Sequence, residues 1–579
     1  MAGTAASDRA DRPAPRTDAP AVNLDVRRAL LVATAVIVGV WLVLIVFWHD
    51  APFALTFDDA FYYLTIGRNM ATGQGSTFDG LNLTNGYHPL WQLIATIPFR
   101  IGLDDLDAAR LLLIIQLVIG WGATLALLSS TVSRALDGWP PVSRRRGAKE
   151  GAARAGAATL ALTLVLVGAS PFVVKLFVSG LESGIAATCD AALLYLAVRG
   201  RGRWIDGTTL KFRLGAGALF AVTFLARTDA IILLACLGLW VVAEAIVNRT
   251  PGAVRKVVEL FALPVVVIGL YLVSNQAWFG TPWQISGLTK RAPLTASTVA
   301  VFAVFVAVAA LIGWQAFRSF RRSPARDAVG RFPVAGRFAA QTGWFASFCV
   351  LIVGYYNVLQ LQQWLWYYAP LGLYLVALLL LAVADMSGAA LRDAPESASA
   401  SRAIRPVQII VGFLFVALLV YTGWQFTDPD LRSIQIANAN TGRWIDDHLP
   451  DDAVLASWDA GAIGYFAHRH VVNLDGVVNS YDFYLKNRAG QGAAFLACDH
   501  VTYVTNHGSN DNGEDPGMRA FIKDLSGQAA ADNARIVFTE PFDYSGVLVG
   551  ANGSDSSSGP TAVHVYQFDP AVCPPSPPE

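Results

Sequence analysis

The sequence predicts a polytopic α-helical membrane protein of about eleven spanning helices, with a C-terminal α/β domain outside the cytoplasm. Three observations predict it. The chain is 54% hydrophobic and only 15% charged, whereas soluble proteins carry about 25% charged residues. Apolar stretches recur at a length near the ~20 residues that cross a bilayer. Lys and Arg alternate in density from one connection to the next. Net charge is zero, so bulk charge names no partner and no nucleic-acid partner is expected. Five cysteines in 579 residues exclude a disulfide scaffold, and none has zinc-site spacing.

Residues 1–28 form a cytoplasmic N-terminus, and 1–25, rich in Ala, Asp, Arg and Pro, read as disordered. The run 29–48 is long for a signal-peptide core and reads as a retained first helix. Further spans are predicted at 107–133, 156–174, 180–198, 213–226, 229–247, 257–278, 298–317, 340–360, 364–384 and 405–424, so that 29–424 is one transmembrane unit. The run at 213–226 is short, which a tight turn at Arg227 explains.

Basic residues set the orientation. Segments 1–28, 134–155, 199–213, 248–256, 318–337 and 386–405 hold five, six, five, three, six and three Lys or Arg, out of 43 in the chain. The opposite connections hold few, so the basic loops face the cytoplasm and odd parity puts 425–579 outside. Counting 89–101 as a span would invert every later loop. That segment therefore reads as a helix on, or dipping into, the outer membrane surface.

Beyond residue 424 the pattern changes to short alternating elements. Helices are expected at 433–449 and 481–498. Strands are expected at 453–457, 471–474, 501–505, 536–539 and 563–568, which is the alternation of a small α/β sheet domain. The Gly-, Ser- and Asp-rich segment 551–561 reads as a flexible loop.

The polar groups that this map gathers at the outer face carry the functional signal, because ionisable residues at membrane depth are costly. The first outer loop, 49–106, contains FDDAFYYLTIGRNMATGQGSTFDG and then TNGYHPLW. Asp58 and Asp59 stand where a helix begins among Phe57, Phe61, Tyr62 and Tyr63. Asp58 reads either as an N-cap or as a shielded carboxylate tuned as a general base; Asp59 is the second candidate for the base.

Lys175, Glu182 in VSGLES, Arg227 and Asp229 in ARTD, Lys290 and Arg291 in FGTPWQISGLTKR, and Tyr367 and Tyr368 in WLWYYAP share that face. Singly, each fits a snorkelling side chain or a local ion pair. Together they suit a cavity for an anionic head group, with Lys290 and Arg227 for phosphate and His88, Glu182, Tyr367 and Tyr368 lining the substrate space. His88 has no partner at a ligand spacing and reads as a hydrogen-bonded histidine, not a metal ligand. Asp190, inside a span, is expected to pair within the bundle.

In these residues the sequence resembles the GT-C glycosyltransferase superfamily. The resemblance rests on the acid pair of the first outer loop, YHPLW followed by a helix with Ala109, Arg110 and Leu111, and the SGLES and ARTD turns. The NQAWFGTPWQISGLTK loop and WYYAP complete it, all in order and at matching topology. The nearest resemblance is to bacterial relatives of protein O-mannosyltransferases, aminoarabinose transferases and actinobacterial cell-wall arabinosyl- and mannosyltransferases.

It implies a multi-pass enzyme of a bacterial inner membrane that takes a monosaccharide from a polyprenyl-phosphate donor. The acceptor is a hydroxyl of a cell-envelope glycan, lipid or protein. Transfer would invert the anomeric centre, with an Asp base and cations on the leaving phosphate, and no metal cofactor is required. Oligosaccharyltransferases of the superfamily carry WWDYG; here SWDAG at 457–461 is a loose echo, read as a strand-to-helix turn. A transporter or flippase of a lipid-linked or anionic substrate is the alternative, although no internal repeat supports it.

Cys498 and Cys573 are the only cysteines of the outer domain, in a compartment where disulfides persist. If the strands beside them neighbour each other, the two could bridge.

Overall fold

The computed structural model of the protein describes residues 19–136, 146–322, 333–361, 363–393, 405–410, 412–413, 429–509, 516–542, 548–549, 555–556, 561–569 and 573. Most of the expected span 405–424 and of the loop 551–561 lie outside them, as do residues 1–18. The first helix begins at Ala19, ten residues before the apolar run, because nothing after Pro20 interrupts helix formation and Pro is tolerated in a first turn.

Among the described residues, six helices are long and apolar enough to cross a membrane: Val26–Phe47, Asp105–Ala135, Thr228–Val247, Ala253–Phe279, Ala296–Arg321 and Leu365–Ala390. Two further pairs, Arg154–Gly168 with Pro171–Phe177 and Pro333–Gln341 with Gly343–Val358, each qualify only as one broken span, bent by 69° and 73°. Ser183–Arg199 and Leu210–Ala226 are helices of 17 residues each, or about 25 Å against a ~30 Å hydrocarbon core. Every expected stretch up to 384 thus falls on helix, some of it bent or short. The protein is a multi-pass membrane protein with a C-terminal sheet domain. The segment after His88 forms two short helices, Pro89–Ala95 and Ile97–Arg100, too short to cross, with Leu93, Ile97 and Ile101 exposed along one side.

The outer domain starts with the helix Pro429–His448. A five-stranded sheet follows, in the order β2-β1-β3-β7-β4, with β1 Val454–Ser457, β2 His470–Asn473, β3 Tyr503–Ser509, β4 Arg535–Phe542 and β7 Thr561–Gln567. β5 Leu548–Val549 and β6 Asp555–Ser556 form a separate short hairpin. β1 pairs in parallel with both β2 and β3, while β7 runs antiparallel to β3 and β4.

The expected helix 481–498 is two helices, Tyr481–Arg488 and Gly492–Cys498, separated by Gly490 at φ 72°, a conformation only glycine adopts freely. The helices Pro516–Ser526 and Gln528–Asn533 stand where no element is expected from the sequence. Cys498 and Cys573 form a disulfide with Cα atoms 4.5 Å apart. It ties the helix before β3 to the segment after β7, and these two strands are neighbours in the sheet.

The helix Ala460–Ala467, which follows β1, packs between Pro429–His448 and the first-loop helix Asp58–Thr72. Phe61, Tyr465 and Phe466 form the buried joint between membrane unit and outer domain.

Candidate active site

The motifs of the outer connections are tied together by hydrogen bonds. In the HPLW segment, Trp91 donates to the carbonyl of Gly180 (2.8 Å) and Gln92 to that of Tyr63 (3.0 Å). Gln116, the first residue of a π-helical segment Gln116–Gly122, accepts from Gly180 N–H and donates to the Leu181 carbonyl. Such a bulge re-aims a side chain, and here it fixes the turn that presents Glu182. Asn85 bonds to the Trp283 carbonyl and the Ile285 N–H, both at 3.1 Å. Thr228 donates its hydroxyl to Gln284 (2.9 Å) and its N–H to His88 Nδ1 (3.2 Å). These four connections therefore converge on one place.

Because His88 Nδ1 accepts, its proton sits on Nε2, which faces Glu182 at 3.5 Å. Burial pushes the His88 imidazole below its ordinary pKa. Tyr63 donates to the other oxygen of Glu182 at 2.9 Å. Arg227, 3% exposed, lies 2.7 Å from Glu182 and forks onto both oxygens of Asp229 at 3.1 and 2.7 Å. Tyr356 closes the network by donating to Asp229 at 2.6 Å. Two carboxylates thus already compensate the Arg227 guanidinium.

Lys290 is placed differently. Its ammonium lies 3.3 Å from the Tyr367 hydroxyl and 3.9 Å from Asp59. Burial works against its charge, but Asp59 and Tyr367 leave its pKa above the usual value. Lys290 borders two spaces at once. One is a small polar pocket shared with Asp59, Tyr62, Tyr63, His88, Glu182 and Tyr367. The other is a groove of about 450 Å³ whose walls include Phe224, Ile232, Ile268 and Leu272. Tyr368 lines neither and bonds to Asn357 at 2.8 Å. Lys175 sits over the Phe57 ring at 5.2 Å, and Asp190 is buried.

The adjacent acids point to different neighbours. Asp58 does not cap its own helix, whose N-cap is Phe57. Its two oxygens accept the N–H groups of Gly461 (2.8 Å) and Ala462 (2.9 Å). These are orphan donors of the first turn of Ala460–Ala467, so a membrane-unit carboxylate caps an outer-domain helix. A side chain at 461 would collide with Asp58. Burial and Asp459 raise the Asp58 carboxyl to about 7 against the lowering pull of these two bonds. Asp59 faces the polar pocket with 35% of its side chain exposed. Burial raises its pKa, with Lys290 opposing.

Three residues of this region are not among the site residues expected from the sequence, although Asp459 stands in the SWDAG turn. Asp459 follows β1, Asp475 follows β2, and His507 lies on β3. Asp459 pairs with His507 Nδ1 at 2.9 Å, and His507 Nε2 meets Asn438 at 2.8 Å. Burial alone would lower the His507 pKa, but the bond and charge of Asp459 raise it; His507 in turn depresses Asp459 against its own burial. Burial, Asp459, Asp59 and Asp58 hold the Asp475 carboxyl well above the usual range. A signal existed: SWDAG and NLDG each carry an acid just past the carboxyl end of a parallel strand, where α/β sheets place ligand groups.

Among the described residues, the side chains grouped tightly enough to hold a metal ion are Asp104, Asp105 and His468, all on the exposed surface.

Fold and site define a membrane-embedded helical unit whose acid-lined pocket is roofed by an α/β domain. Residues 427–553 match the family described as a domain of unknown function, DUF8728. No curated protein matches the chain. Among solved structures it is similar to ArnT from Cupriavidus metallidurans bound to undecaprenyl phosphate. That likeness has 11% identity and a TM-score of 0.48, covering 91% of this chain and 98% of that one. It is also similar to the Archaeoglobus fulgidus oligosaccharyltransferase in the apo form, at 14% identity and a TM-score of 0.47, covering 92% and 74%.

Proposed function

We propose that the protein transfers a monosaccharide from a polyprenyl-phosphate donor to an acceptor hydroxyl at the non-cytoplasmic membrane face. The observation that carries the reading is the position of Lys290, the one Lys or Arg among the described residues that borders both the apolar groove and the pocket that contains Asp59. A lipid tail lying in the groove would bring its phosphate to Lys290 and the attached sugar to the acids. The helix ends that carry the site are opposite the Lys- and Arg-rich connections, which supports the outer orientation.

In the reaction, the acceptor oxygen forms a bond to the anomeric carbon as the bond from that carbon to the phosphate oxygen breaks. The acceptor proton passes to a carboxylate, and the polyprenyl phosphate leaves with its charge beside Lys290. Asp59 is the base in this scheme, because it faces the pocket while both oxygens of Asp58 are engaged by N–H groups. Attack opposite the leaving group inverts the anomeric centre. Arg227 holds Glu182 and Asp229 in place, and His88 and Tyr63 fix Glu182 for contact with the sugar.

The test is incubation of purified protein with a panel of polyprenyl-phosphate sugars, following release of free polyprenyl phosphate. Release with at least one sugar, reduced about 10- to 100-fold in donor affinity by Lys290→Ala, is expected for loss of a charged hydrogen-bonding group. No release with any sugar, together with unchanged donor binding in Lys290→Ala, would reject the reading.

A further inference from the structure

On the far side of the Lys290 loop lies a second cleft, of about 520 Å³, between residues 288–294 and the outer-domain helix Tyr481–Arg488. It differs from the groove in chemistry. Two guanidinium groups, Arg291 and Arg488, border it together with Tyr484, Phe483 and Asn487. Arg488 lies against Tyr484, bonded to its hydroxyl at 2.9 Å. Among the described residues, neither arginine forms an ion pair with an acid. That sets them apart from Arg227, whose charge is matched twice over. The cleft's acid is Asp475, which borders it beside Gly476. Burial and the charges of Asp459, Asp59 and Asp58 hold the Asp475 carboxyl well above the usual range. The cleft therefore carries two guanidinium groups without an acid in ion-pair contact, an aromatic ring and an amide for contact with a sugar, and an acid, Asp475, that feels the charge of Asp58 and Asp59.

We propose that this cleft seats the acceptor, and that the acceptor is a glycan bearing an anionic group, a carboxylate or a phosphate, close to the hydroxyl that is glycosylated. The assignment rests on the glycosyl-transfer reading above and adds the chemical class of the second substrate. Planar guanidinium groups match carboxylate and phosphate geometry, and a charged site left without its anion discriminates strongly against a neutral analogue. The donor phosphate is served by Lys290, which does not border this cleft, while Arg291 borders both the cleft and the groove and Arg488 the cleft alone.

The test uses full-length protein in neutral detergent and four probes: digalacturonate, its neutral twin digalactose, mannose 6-phosphate and mannose. Binding is followed by ligand-detected NMR. At least one anionic probe is expected to bind tenfold or more tightly than its neutral twin, with preference for the uronate or the sugar phosphate identifying which anion is used. The preference should fall to about parity in the Arg291→Gln/Arg488→Gln protein and return only in part in Arg291→Lys/Arg488→Lys, which keeps the charge but not the planar fork.

Equal binding of charged and neutral probes, or an anion preference that survives the double substitution, would overturn the proposal. So would displacement of the bound probe by short-chain phosphatidylglycerol, which would make the cleft a lipid head-group seat. Binding of a polyprenyl-phosphate sugar to the unsubstituted protein, measured in parallel, tests the parent reading separately, since the acceptor probes require no donor.

Discussion

Two neighbouring carboxylates should fail in two different ways when neutralised. Asp58→Asn keeps the shape of the side chain but turns one acceptor oxygen into an NH2 group. One N–H of Gly461 or Ala462 then faces a donor instead of an acceptor. Hydrogen bonds to charged groups are worth about 1.5–3 kcal/mol, a factor of roughly 10 to 150 in an equilibrium constant. The joint between Asp58–Thr72 and Ala460–Ala467 should loosen by that factor. Asp59→Asn removes a group that is one-third exposed and whose ion pair with Lys290 lies at 3.9 Å, an interaction worth at most about 1 kcal/mol. Its stability cost is small, but loss of a general base lowers turnover about 10²- to 10⁴-fold. Hydrogen exchange of peptides spanning 460–467, measured beside donor turnover, separates the two effects. Asp58→Asn should exchange faster there, and Asp59→Asn should exchange normally and turn over poorly. Abolished turnover at normal exchange in Asp58→Asn, with normal turnover in Asp59→Asn, would refute the division of roles.

Arg227→Ala leaves Glu182 and Asp229 buried without their counter-charge, a change that typically costs about 3–5 kcal/mol; reduced yield and a lower melting temperature are expected, and a well-folded variant with a selective donor-binding defect would show that Arg227 serves phosphate directly. His507 has a raised pKa in the folded state, so the stability it contributes is complete below its ordinary value of about 6.5 and is lost as pH rises through the folded value. The melting temperature of His507→Gln should therefore lie below that of the unsubstituted protein at pH 6, and the gap should close at alkaline pH. Cys498→Ser opens a crosslink between residues 75 apart in sequence, which should lower the outer domain's stability by about 2–4 kcal/mol; unfolding monitored with and without reductant should differ in the unsubstituted protein and coincide in the variant.

Most of the membrane unit is legible because hydrophobic length and basic loops are local signals. The ten expected stretches up to 384 fall on helix, the eleventh lying mostly outside the described residues, and Asp59, His88, Glu182, Lys290 and Tyr367 meet because alternate connections share a face. The break at Ser170 and Pro171 and the 17-residue helices were harder to see, since composition alone does not distinguish a straight span from a bent one. The outer-domain half of the site was hidden for a different reason. Asp459, Asp475 and His507 lie some 400 residues from Asp58, and only the parallel pairing of β1 with β2 and β3 brings them to its side. The partner of Asp58 is backbone, which carries no residue-type signature at all. Asp58 was read as capping a helix or serving as base; it does cap a helix, but one in another domain.

The Asp58 clamp has a mechanical consequence. Residues 58 and 59 are joined by a single peptide unit, so their Cα atoms are about 3.8 Å apart. Whatever moves Ala460–Ala467 pulls on Asp58, and the rigid first turn of Asp58–Thr72 passes that pull to Asp59. A misplacement of about 1 Å at a reacting group can cost 10²-fold in rate. The outer domain therefore works as a lever whose short arm ends at the acid in the pocket. A chain cut at residue 425 would keep Lys290, Glu182, Arg227 and Asp59, yet lose the fulcrum that holds Asp59 in register.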